Sequence, residues 1–161
     1  MASSKPWRQA ARRAVYSGAA ASLLSAAVLA IRGRREQGTA AGPNNGPSQW
    51  IYGRSAAYRR DASLKYTLVG LAIHHLSATG WALLHERVFN HGGKPQSGGG
   101  RVLRAAATAA VANFVDYKLT PQRLQPGFEV QLSKKSLVYV YAAFALGLAL
   151  ASRSTARKTK P

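Results

Sequence analysis

Charged and apolar residues occupy separate parts of this chain. Four stretches are almost free of charge, although lysine and arginine outnumber the acidic residues 23 to 5: residues 14–31, 66–84, 103–117 and 136–151. Only Arg104 and Asp116 interrupt the third stretch, and both stand near its ends. Apolar runs separated by basic connectors are typical of proteins that cross a membrane several times. The pattern therefore predicts an integral membrane protein.

The lengths of the four runs support helices that cross a bilayer. A helix rises about 1.5 Å per residue and needs around 20 apolar residues to cross a hydrocarbon core of about 30 Å. The second run meets this length, and the first and fourth approach it. The third is shorter and rich in alanine, so we expect a helix shielded by its neighbours, with a re-entrant segment as the alternative.

The predicted fold is all-α, a four-helix transmembrane bundle with a short interfacial helix in the first connector. The spans cover about residues 14–31, 66–86, 102–117 and 136–151, between a basic N-terminal tail (1–13) and a basic C-terminal tail (152–161). A soluble four-helix bundle is the alternative, but its helices would carry a charged face, which the first and fourth runs lack. A cleaved signal peptide or a mitochondrial transit peptide is an alternative for the first run. The arginines directly after it favour a retained anchor.

The net charge of +18 indicates which kinds of partner the protein could bind. Such a charge is common in proteins that bind nucleic acid, but here the basic residues lie next to apolar runs. That placement favours anionic lipid headgroups, to which each Lys or Arg near the surface contributes roughly 1 kcal/mol. An even number of spans places both termini on one side, and the basic tails favour the cytoplasm. The absence of cysteine excludes disulfides and thiolate chemistry.

The connectors differ in composition. The first contains a turn region of Gly, Pro and Asn (residues 42–47), followed by an aromatic and basic group that predicts a helix in the headgroup layer or a partner-docking loop: Trp50, Tyr52, Arg54, Arg59 and Arg60. The second connector, residues 90–100, is typical of a flexible Gly/Ser linker. In the third, Pro121 and Pro126-Gly127 exclude a continuous helix and predict defined turns.

Small residues recur at four-residue spacing in the apolar runs, as at Gly18, Ser22, Ala26 and Ala30, and at Ala143, Gly147 and Ala151. They predict close helix packing.

Polar residues within the apolar runs form a candidate cluster: His74, His75, Ser77, Asn113 and Asp116. Ionisable groups at membrane depth usually face the bundle interior. One hypothesis is a proton relay or a haem ligand. The other is that His74 and Ser77 form interhelical hydrogen bonds with Asn113, Thr108 or a backbone carbonyl. The histidine spacings do not fit a metal site on one helix.

The two acids of these runs are predicted at opposite membrane faces, Asp116 near Lys65 or Lys118 and Glu86 near Arg101 or Arg104. No catalytic residue, metal ligand or cofactor is predicted, since no nucleophile, base and orienting group can be assembled.

Three segments carry a family resemblance: residues 48–53 (SQWIYG), 75–82 (HLSATGWA) and above all 116–129 (DYKLTPQRLQPGFE), which runs into Leu132-Ser133. The chain resembles a group of four-span inner-membrane proteins of Gram-negative bacteria, loosely of the YagU type, over about residues 44–150. The resemblance implies four helices in the bacterial cytoplasmic membrane. It implies no catalytic or binding residue.

Two functional hypotheses follow. The first is a noncatalytic accessory, scaffold or interaction component that contacts anionic lipids and a membrane protein partner or a second copy of itself. The second is a small transporter or proton-conducting element that uses the His and Asp residues. Four short alanine-rich spans enclose no pathway as a monomer, so transport would require an oligomer.

Overall fold

The computed structural model describes residues 5–90 and 97–157. Within these residues the chain contains no β-strand and forms six α-helices: α1 (Lys5–Gln37), α2 (Gly42–Asn45), α3 (Gln49–Tyr52), α4 (Val69–Phe89), α5 (Gly98–Phe114) and α6 (Lys134–Arg157). A π turn at Leu64–Leu68 precedes α4, and another at Val115–Leu119 follows α5. Parts of the predicted tails (1–4 and 158–161) and of the predicted linker (91–96) lie outside the described residues. The all-helical prediction is confirmed.

Three helical segments are long and apolar enough to cross a membrane: Pro6–Gln37, Leu64–Phe89 and Lys134–Ala151. Helix α5, which contains residues 103–114 of the third apolar run, is not among them. The four-helix transmembrane bundle therefore stays a prediction.

Helix α1 makes the most extensive contacts and lies between α4 and α6, whereas α5 packs mainly against α6. Small residues permit these contacts. A Cβ atom on Gly18 would lie 2.7 Å from the Thr79 Cα atom of α4, and one on Gly147 of α6 would collide with the backbone of Ala21. Such close approach of helix backbones is the usual role of small residues where apolar burial does not drive association. The predicted close packing is confirmed at these two glycines.

Many large apolar side chains point outward along the helices, while most of the buried apolar positions are alanines, together with a few large residues such as Leu29, Phe144 and Leu148. Leu76 and Leu103 are 70% and 72% exposed, whereas Ala21 and Ala82 are fully buried. Further exposed members of this apolar belt are Val15, Leu23, Leu68, Val102, Val111, Phe114, Val138 and Leu146. Contiguous apolar surface of this extent marks a membrane or protein interaction site.

Helix α5 differs from the prediction in two respects. It buries a stripe of small residues that includes Ala105 and Ala112, but its opposite side is exposed. The expected shielding by neighbours is therefore wrong on that side, because α5 lies at the edge of the helix group. It also begins at Gly98, since the Ser97 hydroxyl caps it by accepting a hydrogen bond from the Gly100 amide (3.1 Å). The predicted linker is thus shorter than residues 90–100.

The first and third connectors meet at one end of the long helices. Here α1 and α5 end, α4 and α6 begin, and residues 38–63 contact residues 120–133. We call this end the connector face. The N-terminus of α1, the last turn of α4 and the first turn of α5 lie at the opposite end, the terminal face.

The Gly/Pro/Asn-rich segment of the first connector is not an exposed turn. It forms α2 and a 3₁₀ turn at Gly46–Ser48, and residues 42–49 are all buried. Glycines allow this burial, because a Cβ atom on Gly70 of α4 would collide with the Asn44 carbonyl oxygen. The third connector has the defined turns that its prolines predict, with Gly127 in the left-handed conformation (φ 84°) against the backbone of Gly46.

Candidate functional site

Two buried amide side chains fix the connectors to each other. Gln131 of the third connector is 3% exposed. Its Nε2 lies within hydrogen-bonding distance of three carbonyls of the first connector, those of Gly42 (3.0 Å), Ala57 (2.6 Å) and Arg59 (3.1 Å). In the other direction, Gln49 Nε2 donates to the Gln125 carbonyl at 2.6 Å. The two connectors therefore form one structural unit.

A third amide closes the first connector on itself. Asn45, which is fully buried, donates from Nδ2 to the carbonyls of Arg59 (3.0 Å) and Asp61 (2.9 Å). Its Oδ1 accepts a hydrogen bond from the Thr67 hydroxyl at the start of the α4 segment (2.7 Å). Since both ends of the amide are used, the path of residues 45–67 is tightly constrained.

An aromatic and basic surface covers this polar interior. Arg54 forms an ion pair with Glu129 at 3.0 Å and also donates to Gln49 Oε1. The Arg54 guanidinium lies over the Tyr58 ring. Arg59 and Lys65 face the Tyr66 ring, and Lys65 also faces Tyr52. The predicted docking residues Trp50, Tyr52, Arg59 and Arg60 are exposed, whereas Arg54 is half-buried.

Helix α3 carries Trp50, Ile51 and Tyr52 on this surface, and it corresponds to the short helix predicted in the first connector. The Trp50 indole N–H donates to the Gln125 carbonyl at 3.2 Å. Its ring is therefore attached to the third connector. We call the group of Trp50, Tyr52, Arg54, Tyr58, Arg59 and Arg60 the docking surface.

A carboxylate joins α1 to α6 at the same face. Glu36 accepts hydrogen bonds from the Ser136 hydroxyl, the Ser133 amide (2.8 Å) and the Arg32 guanidinium (2.7 Å). These three hydrogen bonds favour the ionised form of the carboxylate. The group is therefore an anion at physiological pH.

The predicted intramembrane cluster is not assembled as one site. His74 Nε2 hydrogen-bonds to Ser25 Oγ of α1 at 2.8 Å, and Asp116 accepts from the Tyr141 hydroxyl of α6 at 2.6 Å. His75 is exposed on the outer side of α4, and Ser77 is half-buried. Asn113 lies in a separate groove between α5 and α6.

Of the partners predicted for His74, Asn113 and Thr108 are wrong, whereas a backbone carbonyl is correct: His74 pairs with Ser25 and with the backbone of Ser22, both on α1. Thr108 instead pairs with His85 at 2.8 Å, which connects α4 to α5. The predicted interhelical hydrogen bonding by His74 is therefore present. His74 also borders a cavity of about 40 Å³ lined by Ser25, Ala78, Trp81 and Phe128 among others.

Among the described residues neither Asp116 nor Glu86 forms an ion pair. The proximity of Asp116 to Lys65 or Lys118, and of Glu86 to Arg101 or Arg104, stays a prediction. Glu86 is buried, and its carboxylate accepts a hydrogen bond from the side-chain amide of Asn90 at 2.9 Å. Arg104 donates a hydrogen bond to the Phe89 carbonyl. The two acids do lie at opposite ends of their antiparallel helices, as predicted.

The described residues contain no group of three His, Cys, Asp or Glu side chains that could hold a metal ion.

No family model, curated protein or solved structure matches this chain. The resemblance to the YagU-type group stays a prediction.

Sequence reasoning did not identify Asn45, Gln49 and Gln131, the residues that hold the connectors together. Their signal is weak, because an amide in a Gly/Pro-rich connector usually indicates an exposed turn. The accompanying glycines at 42, 46 and 127 were the available indication, since glycine is favoured where backbones approach closely.

Proposed function

We propose that this protein is a noncatalytic interaction component of a bacterial inner membrane. In this proposal four helices, α1, α4, α5 and α6, form a transmembrane bundle, and the connector face presents the docking surface to a partner protein. The observation that carries the proposal is the rigid joining of the two connectors by Gln131 and Gln49 beneath exposed aromatic and basic side chains.

The apolar belt supports the membrane location. Many leucine and valine side chains lie outside and most buried apolar positions hold alanine, whereas in a water-soluble domain most large apolar residues are buried. In a bilayer the same arrangement costs nothing, because lipid tails solvate the outer side chains. Helix α5 would cross with the others, since its exposed side carries Val102, Leu103, Val111 and Phe114.

The docking surface determines the chemistry of the partner. Exposed Tyr58, Arg59 and Arg60 provide flat rings beside positive charges. Tyrosine, tryptophan and arginine are the residues that contribute most binding energy in protein interfaces. A partner with acidic side chains around an apolar pocket would complement this surface. With both termini in the cytoplasm, the docking surface and its partner would lie on the periplasmic side.

Site-specific photocrosslinking in intact membranes tests this proposal. We expect a photoreactive residue at Tyr58 or Ile51 to form a discrete protein adduct, whereas one at Leu76 in the apolar belt should form lipid adducts only. The double variant Arg59→Glu/Arg60→Glu should abolish the protein adduct. Arg8→Glu/Arg12→Glu, with the same charge change at the terminal face, should leave it unchanged. Lipid adducts alone at Tyr58 and Ile51 would refute a protein partner.

The alternative of a small transporter or proton-conducting element has less support. Its candidate residues are dispersed, with His75 on the outside and Asp116 hydrogen-bonded at one end of the helices. The cavity beside His74 holds a few water molecules at most.

A further inference from the structure

A groove of about 800 Å³ lies between α5 and α6 and is open on the outer side of the helix pair. Its volume is in the range of pockets that bind small molecules. Five alanines, two on α6 and three on α5, leave this space, because side chains of this size cannot fill the gap between the helices. The long part of the groove is therefore apolar and narrow.

Polar groups are concentrated where the groove meets the connector face. Lys118 and Lys134 line this end from the two helices, and both are exposed. The only ion pairs among the described residues are Arg32–Glu36 and Arg54–Glu129, so neither lysine is neutralised by a described acid. Glu129 also lines this end, but its charge is balanced by Arg54 at 3.0 Å.

One buried polar atom at the same end has unused hydrogen-bonding capacity. Glu129 Oε2 makes no hydrogen bond within the described residues, whereas the neighbouring Tyr117 hydroxyl pairs with Tyr141. Buried polar atoms without a partner are uncommon and call for an explanation. A ligand headgroup that carries a hydrogen-bond donor, such as a glycerol hydroxyl, would supply one.

The length of the groove fits one leaflet of a bilayer. On α5 it extends from Ala106 to Lys118, and on α6 from Lys134 to Ala145, which is about 17 Å at 1.5 Å per residue. Half of a hydrocarbon core of about 30 Å is about 15 Å. A lipid tail that enters at the connector face would thus reach the middle of the bilayer.

We propose that this groove binds one acyl chain of an anionic glycerophospholipid, whose phosphate is held by Lys118 and Lys134. The inference rests on the membrane location in the proposed function, but it does not depend on the docking surface or on a protein partner.

The first experiment tests the charge recognition by native mass spectrometry of delipidated protein in detergent. Phosphatidylglycerol and phosphatidylcholine with identical acyl chains are the probes. We expect the wild-type chain to bind one phosphatidylglycerol roughly tenfold more tightly than phosphatidylcholine. Lys118→Gln/Lys134→Gln should abolish this preference. The control Lys135→Gln/Arg123→Gln removes the same charge from exposed residues of the same face outside the groove lining, and should preserve it.

The second experiment tests the position of the acyl chain. Ala106 and Ala110 line the groove but are exposed, so Ala106→Leu/Ala110→Leu fills it without disturbing the buried interface. We expect this variant to lose most of its phosphatidylglycerol binding, while Ala107→Leu, outside the groove lining, should bind normally. Helicity measured by circular dichroism confirms that each variant is folded.

Four results would overturn the proposal. The first three are equal binding of the two lipids by the wild-type chain, retained preference in folded Lys118→Gln/Lys134→Gln, and normal binding in folded Ala106→Leu/Ala110→Leu. The fourth is displacement of the lipid by inorganic phosphate at millimolar concentration, which would identify a site for free phosphate. Alkaline carbonate extraction of membranes tests the membrane location separately, and the photocrosslinking at Tyr58 tests the partner.

Discussion

At the scale of single residues, Gln131 contributes most to joining the connectors. Gln131→Glu keeps the shape of the side chain but replaces its N–H donors with an acceptor facing the carbonyls of Gly42, Ala57 and Arg59. Leaving buried groups without partners costs about 1–3 kcal/mol. We therefore expect a loss of at least about 2 kcal/mol of unfolding free energy, measured by denaturation in detergent. Gln122→Glu, on an exposed residue of the same connector, should change it little.

Two glycines of the α4 segment provide a second residue-level prediction. A methyl group at Gly70 would collide with the Asn44 carbonyl, whereas one at Gly80 has open space around it. Gly70→Ala should therefore displace the buried first connector and destabilise the protein. Gly80→Ala should be neutral or stabilising by up to about 1 kcal/mol, the helix propensity difference between the two residues. Similar melting temperatures for the two variants would contradict the burial of Asn44 against α4.

At the scale of elements, the Arg54–Glu129 ion pair connects the first connector to the third. Both side chains are only partly exposed, at 30% and 18%, so we expect a coupling free energy of about 1 kcal/mol, near the upper end for such pairs. A double-mutant cycle with Arg54→Ala and Glu129→Ala measures it. The same cycle between Lys135 and Glu129 should show no coupling. If the Arg54–Glu129 coupling is also absent, the connectors are held by the amide hydrogen bonds alone.

The elements differ in how far sequence predicts them. The long helices follow from apolar runs, and the turns of the third connector follow from Pro121, Pro126 and Gly127, because proline and glycine act locally. The buried first connector could not be predicted, since its stability depends on Gln131, more than 70 residues away in the chain. The side-chain partner of His74 was missed for a related reason. A polar residue in a span indicates a hydrogen bond, but helix rotation determines whether Ser25 or Asn113 supplies it.

At the scale of the whole molecule, apolar surface and polar surface are separated along the helix direction. The apolar belt surrounds the middle of the long helices, and the basic and amide side chains gather at their ends. In water this belt would promote association, whereas in a bilayer it fixes the depth of the molecule. In the proposed membrane bundle, the docking surface and the polar end of the α5–α6 groove would both lie in the headgroup layer on one side. A lipid bound by Lys118 and Lys134 would be close to a partner bound at the connector face.

The number of crossings is open to a direct test because the chain contains no cysteine, so single cysteines can be introduced without background. In sealed vesicles, a membrane-impermeant maleimide should label Tyr58→Cys and Arg123→Cys from one side, and Arg8→Cys and Ser97→Cys from the other. Leu76→Cys in the apolar belt should not react until detergent is added. The decisive pair is Ser97→Cys and Arg123→Cys, which flank α5: labelling from opposite sides requires that α5 crosses the bilayer. Labelling of both from the same side would leave only three crossings and would exclude the four-helix membrane bundle.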